Sequence, residues 1–111
     1  MTTDFAFLLY INDWFTPNTY DKNYMNPPER CGVYLLVNPH LDLLKRTSDP
    51  IIIYVGSTKN LHERYAHHEI IRSFADNNIY IQFYFKECAS YIETEKKLIN
   101  IIQPKLNKQW L

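Results

Sequence analysis

The chain of 111 residues is long enough for one hydrophobic core and too short for two ordinary domains. A hydrophobic fraction of 46% beside 22% charged residues is typical of a globular protein and excludes a disordered or fibrous chain. A formal net charge of zero excludes a protein that holds nucleic acid by bulk charge alone.

Two further features narrow the class of protein. The apolar run from Phe5 to Ile11 is far shorter than the roughly 20 residues that cross a bilayer, and no basic stretch precedes it as in a signal peptide. Cys31 and Cys88 lack the CxxC spacing of a zinc site, so we expect free thiols. The sequence therefore predicts a soluble, intracellular (cytoplasmic) protein with no membrane partner.

The charges are unevenly distributed along the chain. Residues 1–58 contain four Lys or Arg and six Asp or Glu, a net charge of −2, whereas residues 59–111 contain eight and six, a net charge of +2. A surface for an anionic ligand is therefore expected in the second half, and its affinity should fall with salt.

Residues 1–31 are interpreted as an N-terminal arm and linker. Thr3 or Asp4 can cap a short helix that carries the apolar residues Phe5, Leu8, Leu9 and Trp14 at close to helical spacing. The Asn- and Pro-rich stretch 23–30 then predicts a linker or wrapping segment before a body formed by residues 32–111.

The body begins with two predicted strands, 32–37 and 51–56, both rich in β-branched or aromatic residues. The first is ended by Asn38-Pro39, and the two can pair antiparallel through a long connection. Ser57 or Thr58 can cap a helix whose face carries Leu61, Arg64, Tyr65, His68 and Ile71.

A third strand and a last helix follow. Residues 79–85 alternate Ile79, Ile81, Phe83 and Phe85 on one side with polar or Tyr residues on the other. Ser90 and Glu93 form a capping box that predicts a helix through Ile92, Leu98, Ile99 and Ile102, ending near Gln103 because Pro104 follows. Glu95 falls on the inner stripe of this helix, where an unpaired carboxylate is costly.

Several ordered motifs together resemble the GIY-YIG nuclease family. They are Gly32-Val33-Tyr34, Tyr54-Val55-Gly56 with the following Ser57-Thr58-Lys59-Asn60-Leu61, Arg64, Glu95, and Gln103-Pro104-Lys105-Leu106-Asn107. The resemblance covers residues 32–107. It implies a compact single α/β domain with a central three-stranded mixed or antiparallel sheet flanked by helices.

The resemblance also implies roles for individual residues. Tyr34 and Tyr54 would line the active site, Arg64 would face the scissile phosphate, and Glu95 would bind Mg²⁺ or Mn²⁺ as the metal ligand. His68 matches a catalytic histidine of some family restriction enzymes, and the supporting residues are Gly32, Gly56 and Asn107. Glu93 is the competing carboxylate, but its role as a helix cap already explains it.

The implied reaction is hydrolysis of phosphodiester bonds in DNA. An unperturbed tyrosine, with a pKa near ~10, is a poor general base at neutral pH unless positive charge lowers that pKa. His68 can take the proton directly or accept it from Tyr34. The resemblance favours Tyr34 as the base, with His68 in support.

The connection between Tyr34 and Tyr54 is longer than the hairpin usual in the family. Its inserted residues 41–46 are interpreted as a surface excursion, with DNA contact through Lys45 and Arg46 as the alternative. The other candidate DNA contacts are Lys59, Arg72 and Lys105.

The chain is rich in Asn, Ile, Lys and Tyr, which is compatible with an AT-rich genome. Such a composition favours a phage or mobile-element endonuclease of the homing type. The alternatives are a restriction enzyme, a structure-selective repair or recombination nuclease, and a catalytically silent nucleic-acid-binding module. Specificity would come from the arm, from a homodimer or from an accessory DNA-binding partner.

Overall fold

The fold is arranged around one buried strand, and the computed structural model describes residues 14–38, 41–42, 47–48 and 51–110. In chain order the elements are α1 (Pro17–Tyr20), β1 (Gly32–Asn38), β2 (Leu41–Asp42), β3 (Thr47–Ser48), β4 (Ile51–Thr58), α2 (Leu61–Ala66), α3 (Glu69–Asp76), β5 (Gln82–Glu87), α4 (Tyr91–Ile102) and α5 (Lys105–Trp110). β1 lies between β4 and β5 and pairs antiparallel with both.

Every residue from Val33 to Val37 is at most 1% exposed, because both faces of β1 are covered. Odd-numbered residues of β1 pack with Leu98 of α4, and even-numbered ones pack with Leu61 of α2 and with Phe83 and Phe85 of β5. This arrangement accounts for a continuous apolar run where a one-sided sheet would alternate. It confirms the predicted α/β domain with an antiparallel three-stranded sheet and flanking helices.

The third strand begins later than predicted. β5 covers 82–87 rather than 79–85, and Ile79 and Tyr80 precede it with 40% and 73% of their surface exposed. The predicted inward side is correct for Ile81, Phe83 and Phe85, which all belong to one buried cluster. The strand extends at its other end because β1 continues to offer pairing partners as far as Gly32, opposite Glu87.

The single helix predicted after β4 was wrong in two respects: the structure has two helices here, and the first begins later than predicted. Asn60, rather than Ser57 or Thr58, is the N-cap, and its Oδ1 accepts a hydrogen bond from the Glu63 N–H. The helix ends at Ala66, and α3 begins after His68, whose backbone is extended at φ −100° and ψ 116°. His68 caps α3 through its own ring, so it does not share a helical face with Arg64.

The last long helix, α4, begins and ends where the sequence predicts. Its capping-box hydrogen bonds are absent, because the Ser90 hydroxyl contacts the Thr94 hydroxyl and Cys88 Sγ instead. Ile92, within this helix as predicted, is 54% exposed, whereas Leu98 is buried. Gln103 ends the helix in a left-handed conformation at φ 51°, directly before the buried Pro104.

The described part of the N-terminal segment packs on the body. Phe15 exchanges two backbone hydrogen bonds with Phe85 on the outer edge of β5, and Trp14 packs against the core. The carbonyls of Arg30 and Pro28 accept hydrogen bonds from the first amides of α2, which have no partner within that helix. The helix predicted from Thr3 or Asp4 lies outside the described residues.

The long connection between β1 and β4 contains a short antiparallel ladder formed by β2 and β3. Lys45 and Arg46 lie outside the described residues. Within the part of the chain that the structure describes, no helix combines the length and the apolar character needed to cross a bilayer.

Candidate active site

The site is organised by the ring of Tyr34, which projects from β1 toward α2 and α3 and is 1% exposed. The ring stacks on Phe83 at 5.0 Å between centroids and passes directly over Gly56 on β4. A Cβ at Gly56 would overlap Cζ and Oη of Tyr34, so glycine is required there by space rather than by backbone conformation. Gly32 is equally restricted, because a Cβ there would meet the backbone carbonyl of Lys86.

Two predicted site residues converge on the Tyr34 hydroxyl. Arg64 Nε donates to Tyr34 Oη at 3.2 Å, and His68 Nε2 lies 3.0 Å from the same atom. Although α2 ends between them, the break in the helix turns His68 back toward the sheet, where it is 3% exposed. The sequence pattern placed Arg64 and His68 on one helical face, whereas the structure brings them together across a break between two helices.

The proton positions in this network follow from its partners. Burial, and next the positive charge of Arg64, lower the pKa of His68 to about 4, so the ring is neutral at pH 7. Its Nδ1 accepts the Ile70 N–H at 3.2 Å, which assigns the single ring proton to Nε2. Tyr34 Oη thus accepts hydrogen bonds from both Arg64 and His68, and its own proton is directed elsewhere.

Burial and the charges of Arg64 and Glu95 also act on the pKa values of Tyr34 and Tyr54. Burial raises the pKa of Tyr34 above its ordinary value, and the hydrogen bond and charge of Arg64 oppose that rise. Burial and the charge of Glu95 raise the pKa of Tyr54, whose ring is 6.2 Å from that of Tyr34 and 5.7 Å from that of His68. Both phenols are therefore protonated at neutral pH when no substrate is bound.

Arg64 has a second partner that the sequence pattern did not reveal. Its Nη1 and Nη2 donate to the two carboxylate oxygens of Glu69 at 3.3 Å each, and Nη1 also donates to the His67 carbonyl. Glu69 is 75% exposed, and the hydrogen bonds from Arg64 lower its pKa. Residues five positions apart do not face each other on a continuous helix. Arg64 and Glu69 can pair only because the helix is interrupted at His67 and His68.

Glu95 lies on α4 and is held at the edge of the site by β4. Its Oε1 accepts a hydrogen bond from Ser57 Oγ at 2.7 Å, and its charge acts on both Tyr34 and Tyr54. Glu93 is exposed, which agrees with the choice of Glu95 as the inner carboxylate. Sequence reasoning missed Ser57 as a partner, although strand alternation places it with Val55 on the face toward α4.

This arrangement fits a hard divalent cation. Glu95 Oε1 accepts a hydrogen bond from Ser57 Oγ, and the carboxylate has further lone pairs that a metal ion can use. Among the described residues no three His, Cys, Asp or Glu side chains gather into a ready-made metal cage. Mg²⁺ tolerates such a site, because it retains several waters and is often bound through one or two carboxylates.

Asn107 acts through the backbone of β4. Its side chain accepts a hydrogen bond from the Val55 N–H at 2.7 Å and donates one to the Val55 carbonyl at 2.8 Å. It is 6% exposed and occupies the outer edge of β4 as a neighbouring strand would. The asparagine therefore holds the strand that carries Tyr54, Gly56 and Ser57.

The candidate DNA contacts are divided between surfaces. Exposed Lys59 lines a cleft of about 420 Å³ together with Arg64 and His67. Exposed Arg72 lines a neighbouring cavity of about 180 Å³ with His68 and Glu69. Lys105 is exposed at the start of α5 and lines neither of these two cavities.

Comparison of the chain with family models, with curated proteins and with solved structures gave no match.

The neutral state of His68 predicts how stability depends on pH. The unfolded chain binds a proton near pH 6.5 that the native protein binds only near pH 4, so stability is complete above pH 6.5 and falls as the pH drops through this window. His68 should account for a loss of about 3 kcal/mol in the free energy of unfolding over this pH range. Chemical denaturation of wild type and His68→Asn between pH 7 and 4 measures it.

Asparagine at position 68 retains an acceptor for the helix cap and carries no charge. The variant should lose less stability on acidification than wild type, whereas His67→Asn, at an exposed neighbouring position, should follow wild type. Parallel curves for wild type and His68→Asn would show that His68 is not held neutral by burial.

Proposed function

We propose that this protein is a metal-dependent endonuclease of the GIY-YIG type that hydrolyses phosphodiester bonds of DNA. The observation that carries the proposal is the convergence of Arg64 and His68 on Tyr34 Oη, with Glu95 held by Ser57 at the same end of the sheet. An accessible cleft lined by Arg64 and Lys59 gives an anionic substrate a route to this cluster.

Arg64 supplies the phosphate contact in this proposal. Its guanidinium presents a planar fork of donors, which fits a phosphate as well as it fits the Glu69 carboxylate. Because Glu69 is exposed, exchange of one anionic partner for another needs only a rotation of surface side chains. Arg64 Nε meanwhile remains bonded to Tyr34 and aligns the phosphate with the base.

Tyr34 supplies the general base. As a phenolate it would take a proton from the water that attacks phosphorus, while the bond from phosphorus to the leaving oxygen breaks. Its oxygen already accepts from two N–H donors, which stabilise the phenolate, and His68 cannot act as the base while its Nδ1 is bonded to Ile70. A divalent cation held by Glu95 would supply positive charge that stabilises the phosphate in the transition state and the departing alkoxide, which takes its proton from solvent water.

The test compares wild type with Glu95→Gln and Glu93→Gln. The two variants remove one carboxylate charge from the same helix, but Glu93 is exposed. Wild type should cleave DNA with Mg²⁺ and not with chelator. Glu95→Gln should lower the rate by about 10²-fold or more, because several kcal/mol of charge stabilisation depend on the ligand, and Glu93→Gln should match wild type.

Supercoiled plasmid, a branched junction and RNA serve as substrates. Preference for the junction would indicate a structure-selective role, and cleavage of plasmid at a defined sequence would indicate a restriction or homing role. Equal cleavage by wild type and Glu95→Gln would refute the assigned metal ligand. Binding of DNA without cleavage would identify a catalytically silent module, and no binding at all would reject a nucleic-acid function.

A further inference from the structure

A third cavity opens on the same face of the sheet as Tyr34, between α1, α2 and the start of β5. Its volume is about 150 Å³, and its lining includes Met25 and the aromatic and amide side chains of Asn18, Tyr65, Tyr80, Gln82 and Phe83. Pockets for drug-sized ligands are larger, from about 300 Å³ upward. The space therefore suits a single small planar group.

The aromatic side chains give this pocket stacking surfaces. Tyr80 is 73% exposed, so the fold gains little from its ring, while Tyr65 is half-buried against Phe83 with 5.0 Å between ring centroids. Exposed aromatic faces of this kind bind nucleobases by stacking, with little dependence on base identity.

Two amides beside these rings have hydrogen-bonding capacity to spare. The side chain of Gln82 has no hydrogen-bond partner among the described residues, and Asn18 uses Oδ1 to accept from Thr16 Oγ1 while its Nδ2 has none there. An amide presents donors and an acceptor, which matches the mixed donor and acceptor edge of a base.

The pocket lies close to the candidate active site. Phe83 stacks on Tyr34 at 5.0 Å and contacts Tyr65 at 5.0 Å, so two ring contacts connect Tyr34 to the pocket wall. Successive nucleotides of a duplex strand advance by about 3.4 Å. A strand whose phosphate contacts Arg64 therefore has bases within reach of the pocket a few nucleotides away.

We propose that this pocket binds one unpaired base of the DNA substrate, near the cleaved bond. A base inside a duplex is stacked and paired, so it enters only after extrusion, whereas an unpaired base enters at lower cost. The proposal rests on the nuclease function proposed above. It predicts that this protein prefers DNA with an unpaired base close to the cleavage site.

The experiment uses two duplexes that differ by one extra, unpaired 2-aminopurine in one strand. With chelator present, so that cleavage cannot occur, wild type should bind the bulged duplex about tenfold more tightly and change its 2-aminopurine fluorescence. Tyr80→Ala should lose both effects, and Tyr80→Phe, which keeps the ring, should retain them. The control is Tyr24→Ala, because Tyr24 is 74% exposed and does not line the pocket.

Cleavage of the same duplexes with Mg²⁺ separates the two proposals. Equal binding of both duplexes by wild type, or an unchanged preference in Tyr80→Ala, would overturn the base pocket even if cleavage is metal-dependent. A preference that depends on Tyr80 without any metal-dependent cleavage would support the pocket and reject the nuclease.

Discussion

Tyr34→Phe is expected to lower the rate of DNA cleavage at pH 7 by on the order of 10²- to 10⁴-fold, the usual contribution of a general base. The phenylalanine ring keeps the stack on Phe83 and the position over Gly56. It lacks the oxygen to which Arg64 and His68 donate, so the variant should also lose on the order of 1–3 kcal/mol of stability from the unpaired buried donor.

The pH dependence of cleavage identifies the role of Tyr34. Burial raises the pKa of Tyr34, so only a small fraction of Tyr34 is phenolate at neutral pH. As long as the pH stays below that pKa, each increase of one pH unit raises the phenolate fraction tenfold. The cleavage rate of wild type should therefore rise from pH 7 toward pH 9. Any residual rate of Tyr34→Phe should lack this component.

The control for this measurement is Tyr24→Phe. Tyr24 is 74% exposed and lines neither of the cavities beside Arg64 and His68, so this variant removes a phenolic oxygen away from the site. It should keep the activity and the pH profile of wild type. A Tyr34→Phe enzyme whose rate still rises with pH like wild type would contradict the assignment of the base.

Gly56→Ala is expected to disable the site by displacing Tyr34. The new methyl group would overlap the Tyr34 ring at Cζ and Oη, and the ring cannot retreat because Phe83 is stacked beside it. Overpacking of this kind costs about 1–3 kcal/mol, and misplacement of a catalytic group by about 1 Å costs on the order of 10²-fold in rate. Thermal unfolding and a cleavage assay measure the two effects.

A double-variant cycle tests the cause of this effect. In a Tyr34→Ala background the ring is absent, so the additional destabilisation caused by Gly56→Ala should shrink to a few tenths of a kcal/mol, as for a site without the clash. The same additional cost in both backgrounds would mean that the methyl group meets another part of the protein.

Strands β1 and β4 were predictable because their sequence signals are local. β1 and β4 are apolar, β-branched runs, and their two glycines lie where a neighbouring side chain or carbonyl leaves no room for a Cβ. Scarcity made those glycines informative, since the chain has only two of them. The end of α4 was predictable for a similar reason, because Pro104 constrains the residue before it.

The interior of the site was less predictable because it depends on contacts between distant residues. The helix breaks at His67 and His68, where burial of the His68 ring against Tyr34 competes with continued helical pairing. The hydrogen bond between Ser57 and Glu95 spans 38 residues, and no periodicity encodes it. The ion pair between Arg64 and Glu69 exists only once that break has formed.

Both outer edges of the three-stranded sheet are closed by single residues, Asn107 at Val55 of β4 and Phe15 at Phe85 of β5. An edge strand with free amides and carbonyls is a template on which other chains add strands and begin to form fibrils. Here Val55 and Phe85, each near the middle of an edge strand, are already paired within the molecule. A strand added from another chain would have to displace one buried amide side chain on one edge and one residue of extended backbone on the other.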